Sequence, residues 1–339
     1  MTIPIFLVPP TVLVGVLELI NASEQISLSP SLCSKRIREV VKTSRRPKSI
    51  LLTVVSDAQS RAAIHYSGIL QYINVLAALD IKICPESMKK DLEIVKIRNY
   101  KVQGIHINGN FVTFWEDPVL GLKTVTDYVS DVFNLDVSSF SFCKDTLWML
   151  EWVKNRQKEP VKKISVQHSI DDTISNEDFD FGLRNSRPTQ SLSIYAKPPD
   201  NYNFPGIFPK IDEIYINRGP WLTLGGLLTM DSEEIIVGES KFSSSDINIY
   251  LRFWIAGGNP RLRFLNFEVP SVDVTKIFGH GLKWVLNEEK RFYNRSPYRT
   301  EYMCQGGVQI QRDDGVKATI NYTTVSFYMV VWLDDVVED

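Results

Sequence analysis

The side chains that most often do chemistry in proteins are present in this chain, but their spacing matches no catalytic or ligand-binding motif. No G-x-x-x-x-G-K-[ST] phosphate loop occurs, and Gly279-His280-Gly281 does not extend to G-x-G-x-x-G. The acidic stretch Asp171–Asp180 lacks the ligand spacing and the glycine of a calcium loop, and it predicts a solvated loop. None of the four histidines stands in a metal-ligand spacing; they are His65, His106, His168 and His280. We therefore expect no catalytic residue, no cofactor and no metal, and a protein that is not an enzyme.

Composition indicates an ordinary folded protein. The chain has 339 residues, 44% hydrophobic and 23% charged, which predicts two or three domains. Its 38 Lys and Arg against 40 Asp and Glu give a net charge of −2, so no global field favours nucleic acid or an anionic membrane. The basic cluster Lys35–Lys48 is interpreted as the solvated face of a helix and a linker. We expect neither nucleic acid nor membrane among the partners.

The cysteines and the first residues bear on the cellular compartment. Four scattered cysteines form no C-x-x-C pair and predict reduced thiols; they are Cys33, Cys84, Cys143 and Cys304. The uncharged stretch Ile3–Leu17 has no basic residues before it and no cleavage motif after it, and it is too short to span a bilayer. We expect an intracellular location, in the cytoplasm, the nucleus or both.

The N-terminal residues predict a small helical module. Pro9 and Pro10 end an extended entry, because a proline biases the residue before it away from the helical region. The apolar residues within 12–20 form one stripe of a short helix, and residues 33–41 repeat the helical spacing. Helices this short need a surface to pack on, which is either the rest of the chain or another protein.

The middle of the chain predicts strands followed by alternating strands and helices. Asn108-Gly109 predicts a hairpin turn, and the residues from Leu122 to Phe133 predict an amphipathic helix. Beyond them, strand-like segments recur about every 20–30 residues, as in leucine-rich-repeat-like units. Those segments start near residues 135, 161, 191, 211, 234 and 262. Because strand–helix–strand crossovers join parallel neighbours, we expect a mainly parallel sheet up to Val269.

Several local features complete the predicted array. Helices are predicted over Trp221–Met230, broken at Gly225-Gly226, and over Val274–Asn287. Asp314-Gly315 predicts the turn of a closing antiparallel meander. Five aromatic residues are interface candidates if they cluster on the surface and core residues otherwise; they are Tyr195, Tyr202, Phe204, Phe208 and Trp221.

The region Ile211–Phe267 resembles the type 2 F-box-associated domain, which follows an F-box in many nematode proteins. The resemblance lies in the series I-D-E-I-Y-I-N, W-L-T-L-x-x-L-L-x-M and D-I-N-I-Y-L-R-x-W-I-x-G-G-N-P-R-L-R-F-L. Its most distinctive positions are Trp221, Leu222, Leu228, Leu251, Trp254, Gly258, Asn259, Pro260, Arg261 and Leu262. These residues need no ligand, because Trp254 and Leu251 can fill a core and Gly258 can end a helix.

The N-terminal module resembles an F-box, from its Val-Pro opening to the series C-S-K-R-I-R-E-V-V. In that family the two helices dock on a Skp-type adaptor of a cullin–RING ubiquitin ligase. Pro30 interrupts the second helix, and the loop before it lacks the usual proline–acidic signature. The resemblance implies an adaptor-binding set of Val8, Pro9, Val12, Leu13, Val16, Leu17, Ile26, Leu28, Leu32, Cys33 and Ile37.

Together these features predict an α/β protein in three parts. An F-box-like helical module (residues 1–48) precedes a central βα and hairpin region (49–199) and a type 2 F-box-associated region with a C-terminal β-meander (200–339). The resemblance implies a substrate-recognition adaptor of an SCF-type ligase, with a Skp-type adaptor, a cullin complex and an unknown target protein as partners. The alternatives are a ligase-independent interaction protein with a decayed F-box, and a small-molecule enzyme with a cleft in the βα region.

Overall fold

The computed structural model describes residues 50–56, 61–66, 73–107, 110–168, 174–200, 202–204, 206–279, 281–293 and 302–333. All eleven predicted adaptor-binding residues lie outside the described residues, as does the Asn108-Gly109 turn. The chain forms two compact units. The first holds the described residues up to Ser141 with Gln157–Glu159, and the second holds Phe142–Arg156 and the described residues from Pro160 onward. The domain boundaries after residues 48 and 199 stay predictions.

The first unit is a mixed sheet with one long helix. Its strands are β1 (Ile50–Val55), β2 (Arg61–Tyr66), β3 (Ile73–Asp80), β4 (Glu93–Ile97), β5 (Tyr100–Ile107), β6 (Asn110–Trp115) and β7 (Val137–Phe142). Its helices are α1 (Glu86–Lys89) and α2 (Pro118–Phe133). The strand order is β7-β1-β2-β3-β6-β5-β4, with β1–β7 and β3–β6 parallel and the other pairs antiparallel.

Helix α2 forms where the amphipathic period predicts it. Asp117 accepts the N–H groups of Val119 and Leu120, and Pro118 occupies the first turn. The helix ends at Asn134, which adopts the left-handed conformation. Its apolar stripe is buried against β3. This packing stabilises the helix, because most helical stability in proteins comes from the burial of an apolar face. The predicted hairpin is also confirmed, because β5 and β6 pair antiparallel.

The second unit contains five parallel strands in sequential order, and three of the four connections between them contain a helix among the described residues. The strands are β8 (Lys163–Val166), β9 (Ser191–Ile194), β10 (Glu213–Ile216), β11 (Glu234–Val237) and β12 (Phe264–Glu268). The helices are α3 (Trp148–Arg156), α4 (Asn176–Asn185), α5 (Leu224–Leu228), α6 (Ser244–Ile255) and α7 (Val274–Phe278). Each of these strands pairs parallel with the next, which confirms the predicted parallel arrangement over β8–β12.

The second unit ends in the predicted antiparallel meander. Its strands are β13 (Val285–Tyr293), β14 (Tyr302–Gln311), β15 (Lys317–Tyr322) and β16 (Ser326–Trp332). The last strand, β16, pairs antiparallel with β12 and so joins the meander to the parallel strands. Gly315 has a φ of 96°, the left-handed conformation that its turn requires.

One helix prediction and one loop prediction were wrong in extent. The helix predicted over Val274–Asn287 ends at Phe278, and Val285 already begins β13. Gly281, at a φ of 82°, turns the chain between them. The acidic stretch predicted as a loop instead enters α4, because Ser175 caps that helix and its acidic first turn suits the helix dipole.

The helix predicted over Trp221–Met230 is shorter than expected and spans Leu224–Leu228. Gly225-Gly226 lies inside α5 without breaking it, since the Thr223 hydroxyl accepts the N–H of Gly226. Helix α6 is capped by Ser243. Ser243 and Asp246 form a reciprocal capping box, which satisfies two backbone donors at once.

The strands β8–β12 have two faces of different character. On one face every strand contributes buried aliphatic side chains, among them Ile164, Leu192, Ile214 and Leu265. Helix α6 packs on this face, where the rings of Tyr250 and Phe267 lie 6.1 Å apart. The side chains that alternate with them point to the opposite face, because successive residues of a strand point to opposite sides.

Candidate target-binding face

The strand register aligns the side chains of this opposite face, which we call the polar face, in rows. Ser165, Ser193, Tyr215, Ile236 and Asn266 lie side by side across the five parallel strands. A second row contains Lys163, Ser191, Glu213, Glu234 and Phe264. The polar face also includes Glu268, the last residue of β12, and Tyr195 and Asn217, which directly follow β9 and β10. Hydroxyl, amide, carboxylate and aromatic groups therefore share one surface.

Two tyrosines form the aromatic part of the polar face. The rings of Tyr195 and Tyr215 lie 5.4 Å apart at 45°, and both side chains are half-buried. The Tyr215 hydroxyl is 3.1 Å from the Asn217 side-chain oxygen, to which it donates. Nδ1 of His168 lies 3.1 Å from the Tyr195 carbonyl oxygen. Half-buried tyrosines with one wet end are a common feature of protein interfaces.

The carboxylates of the polar face are held in place by hydrogen bonds. Glu213 accepts the Ser191 hydroxyl at 3.3 Å, and Glu268 accepts the backbone N–H of Glu239 at 3.0 Å. Such contacts fix the orientation of both carboxylates. Glu268, which is exposed, can therefore offer a fixed hydrogen-bond acceptor to a partner.

One end of the polar face is covered by β13 and β14, which we call the arm. The Tyr293 ring stacks on Phe264 at 5.6 Å and 9°, and its hydroxyl donates to Glu234 at 3.1 Å. The Arg291 guanidinium lies 4.0 Å from the ring centre of Trp332. Phe264 and Glu234 are consequently buried, so the open part of the polar face lies toward β8–β10.

Most of the aromatic interface candidates belong to the core. Tyr202, Phe204, Phe208 and Trp221 are buried, as the core interpretation predicts. Trp221 and Tyr202 pack on Phe179 at 5.3 and 5.1 Å. Burial raises the pKa of the Tyr202 hydroxyl, which is 3.1 Å from the Asp180 side chain. Of the five candidates only Tyr195 reaches the polar face.

Arg261 has a structural role that the sequence did not predict, although the residue belongs to the motif that resembles the F-box-associated domain. It precedes β12 and donates to Asp212 at 2.5 Å and Glu233 at 3.4 Å, the residues just before β10 and β11. It also donates to the carbonyl oxygens of Ile211 and Asp231. One guanidinium therefore ties together the amino ends of three neighbouring strands. The nearby motif residue Trp254 is fully buried, as expected of a core residue.

Other kinds of site were sought among the described residues. In the part of the chain that the structure describes, no group of three or more His, Cys, Asp or Glu side chains could hold a metal ion. The three described cysteines are buried free thiols. Within the same residues, no helix has the length and apolar character needed to cross a membrane.

Comparisons with known proteins connect this region to one family. Residues 203–267 match the family model described as F-box associated. The chain is 28% identical over 222 residues to the Caenorhabditis elegans "Skn-1 dependent zygotic transcript 15 protein", covering 60% of each chain. It is 25% identical over 134 residues to the C. elegans "Uncharacterized protein F59B2.8", covering 37% of this chain and 31% of that protein.

The chain thus spans less than two thirds of the length of these two relatives. No solved structure matches it. The resemblance to the type 2 F-box-associated domain is confirmed, and residues 203–267 are the segment that carries it.

Proposed function

We propose that this protein is a substrate-recognition adaptor of an SCF-type cullin–RING ubiquitin ligase. Its N-terminal helices bind a Skp-type adaptor, and its polar face binds a target protein. The observation that carries the proposal is the match of residues 203–267 to the F-box associated family, because that segment contains β10 and β11 and most of β12. The family match therefore covers three of the five strands that form the polar face.

The polar face has properties that suit protein recognition. It lies on strands whose other side is packed in the core, so its side chains are held on a rigid support. Rows of side chains on parallel strands form a continuous surface, as in leucine-rich-repeat-like proteins. In this proposal the chain itself does no bond chemistry, since ubiquitin transfer occurs on other subunits, in the cytoplasm or nucleus.

A ligase-independent interaction protein is the second candidate. Pro30 favours it, because a proline inside the second F-box-like helix removes a backbone hydrogen bond and kinks the chain. In that case the polar face still binds a protein, whereas adaptor capture is lost. The two candidates therefore differ only at the N-terminus.

The deciding experiment replaces Leu13 by Asp and measures capture of purified Skp-type adaptor and cullin. Leu13 is central in the predicted apolar stripe, and an unpaired carboxylate in a dry interface is costly. Losing an interface hot spot costs about 2 kcal/mol, so we expect roughly thirtyfold weaker capture. The matched control is Ile94→Asp, at a position 76% exposed on β4, which should leave capture unchanged.

A thermal melt of each variant separates the possible outcomes. Unchanged capture with an unchanged melt would show that the N-terminus is not a working F-box and would favour the second candidate. If Leu13→Asp abolishes capture of the adaptor and also lowers the melting temperature, Leu13 packs in the core of this chain. The N-terminal residues would then be a capping hairpin.

A further inference from the structure

The outer part of the arm leaves the sheet as a two-stranded ribbon. Residues Lys290–Tyr293 of β13 pair with Tyr302–Gln305 of β14, and we call these two segments the flap. Strand β14 pairs with β15 over Val308–Gln311, which lies outside the flap. Among the described residues, the backbone of the flap therefore has strand pairing only within itself. A two-stranded ribbon is marginally stable in water unless its side chains pack on another surface.

A bend in both strands marks the inner end of the flap. Glu288 and Glu289 lie opposite the single residue Gly306, so β13 has a bulge directly before the flap begins. On β14, Gly306 and Gly307 have φ values of 81° and 143°, in the region that favours glycine. Hinges in proteins consist of a few such residues, whose backbone absorbs the change in angle.

Side chains hold the flap on one end of the polar face. The Tyr293 ring stacks on Phe264, and its hydroxyl donates to Glu234. Cys304 is 1% exposed, and its Sγ accepts the side-chain amide of Asn321 at 2.9 Å. A small apolar cluster lies between the flap and the sheet and consists of Ile236, Phe264, Cys304, Val330 and Trp332. Side-chain packing on this cluster therefore takes the place of strand pairing.

We propose that the flap is a hinged cover that opens in the folded protein and uncovers this cluster. Opening adds Phe264, Glu234 and Ile236 to the open part of the polar face, because the register places them in the same rows as Glu213 and Tyr215. The closed flap thus withholds apolar and aromatic surface, the kind that dominates protein interfaces, from a target. The statement about a target rests on the proposed function.

The test uses Cys304 as the reporter, because its side chain points from the flap into the cluster. The full-length chain carries Cys33→Ser, Cys84→Ala and Cys143→Ser, so that Cys304 is its one thiol. The folded protein is then mixed with the aromatic disulfide reagent DTNB. Attack of the Cys304 thiolate breaks the disulfide of the reagent, forms a mixed disulfide and releases a coloured thiolate that is measured over time.

The matched control places the one thiol on the other face of β12. It carries Leu265→Cys and Cys304→Ser in the same background, and Leu265 is fully buried next to Phe264 on the face that α6 covers. We expect Cys304 to react about a hundredfold faster than the thiol at position 265, because local opening needs less free energy than opening of the core. Equal rates would overturn the inference, since the flap would then open only with the whole unit.

Tyr293→Phe tests the contact that holds the flap closed. It keeps the ring on Phe264 and removes the hydroxyl that donates to Glu234. Reaction of Cys304 should become about tenfold faster, whereas reaction at position 265 should not change. An equal acceleration at both positions would contradict the flap, because the hydroxyl would then stabilise the whole unit.

The dependence on urea gives a second readout that does not need Leu265→Cys to fold. Opening of the flap exposes little surface, so low urea should leave the rate at Cys304 nearly unchanged. A rate that rises as steeply as global unfolding would overturn the inference. These measurements need neither a target nor an adaptor. A flap that stays closed therefore leaves the proposed function standing, and failure to capture the adaptor leaves the flap standing.

Discussion

At the scale of single residues, Arg261 shows how one side chain can organise a repeated fold. Parallel strands of four or five residues offer few hydrogen bonds at their ends, and the chain enters each of β10, β11 and β12 from a segment outside helices and strands. The guanidinium has five donors in a rigid fork, enough to serve two carboxylates and two carbonyl oxygens at once. Its side chain is 26% exposed, so these contacts are only partly screened by solvent.

We expect Arg261→Ala to lower the free energy of unfolding by about 1–3 kcal/mol, since hydrogen bonds to charged groups are lost. Arg261→Lys should recover only part of this, because an ammonium cannot reproduce the fork. The measurement is urea unfolding. The control is Arg263→Ala, whose side chain has one contact to Glu233, at 3.9 Å, and should matter little. Equal losses in the free energy of unfolding for Arg261→Ala and Arg263→Ala would contradict this role of Arg261.

At the scale of elements, the arm depends on an irregular pairing between β13 and β14. Glu288 and Glu289 lie opposite the single residue Gly306, so β13 has one extra residue and the register shifts between Asn287 and Lys290. Such bulges bend a strand and increase its twist. Gly306 has a φ of 81°, and a Cβ there would lie 2.5 Å from the Asn287 carbonyl oxygen. The glycine is therefore required for both its conformation and its close approach.

Gly306→Ala should loosen the arm and raise amide hydrogen exchange in β13 and β14 while β9–β11 stay protected. The control is Gly257→Ala, because Gly257 has a similar φ of 92° but nothing within 4 Å of an added Cβ. That substitution should cost only the conformational penalty of about 1–2 kcal/mol. If amide hydrogen exchange in the arm is no faster in Gly306→Ala than in Gly257→Ala, the close approach of residue 306 to the Asn287 carbonyl oxygen is unimportant.

At the scale of the whole molecule, the proposal separates adaptor binding from target binding. The chain of residues 49–339 should stay folded, because each compact unit buries its own apolar residues among those described. We expect its melting temperature to fall by less than about 2 °C, the shift that roughly 1 kcal/mol produces in a large domain. It should lose capture of the Skp-type adaptor. Unfolding on truncation would indicate that residues 1–48 complete the core.

Much of the fold follows from local patterns in the sequence. The period of apolar residues predicts α2 and the parallel strands β8–β12, because one helix or strand can be recognised from its own residues. The capping and turn residues predict the meander and its Asp314-Gly315 turn. The failures are also local. The predicted helix runs to Asn287, but Gly281 within that range adopts a left-handed conformation, which does not fit a right-handed helix. The acidic helix α4 was missed because its apolar residues are few.

The family resemblance is likewise contained in the sequence, since the motif residues around Trp254 form a core whose shape constrains their types. The polar face could not be predicted in the same way. Tyr215 and Asn266 are 51 positions apart in sequence and meet in one row only because three strands pair in a particular register. The arm over Phe264 and the contacts of Arg261 likewise join distant segments. Sequence alone therefore determined most of the elements and the resemblance of residues 203–267 to a family. Tertiary pairing decided which side chains share a surface, because register is a property of neighbouring strands and not of any one of them.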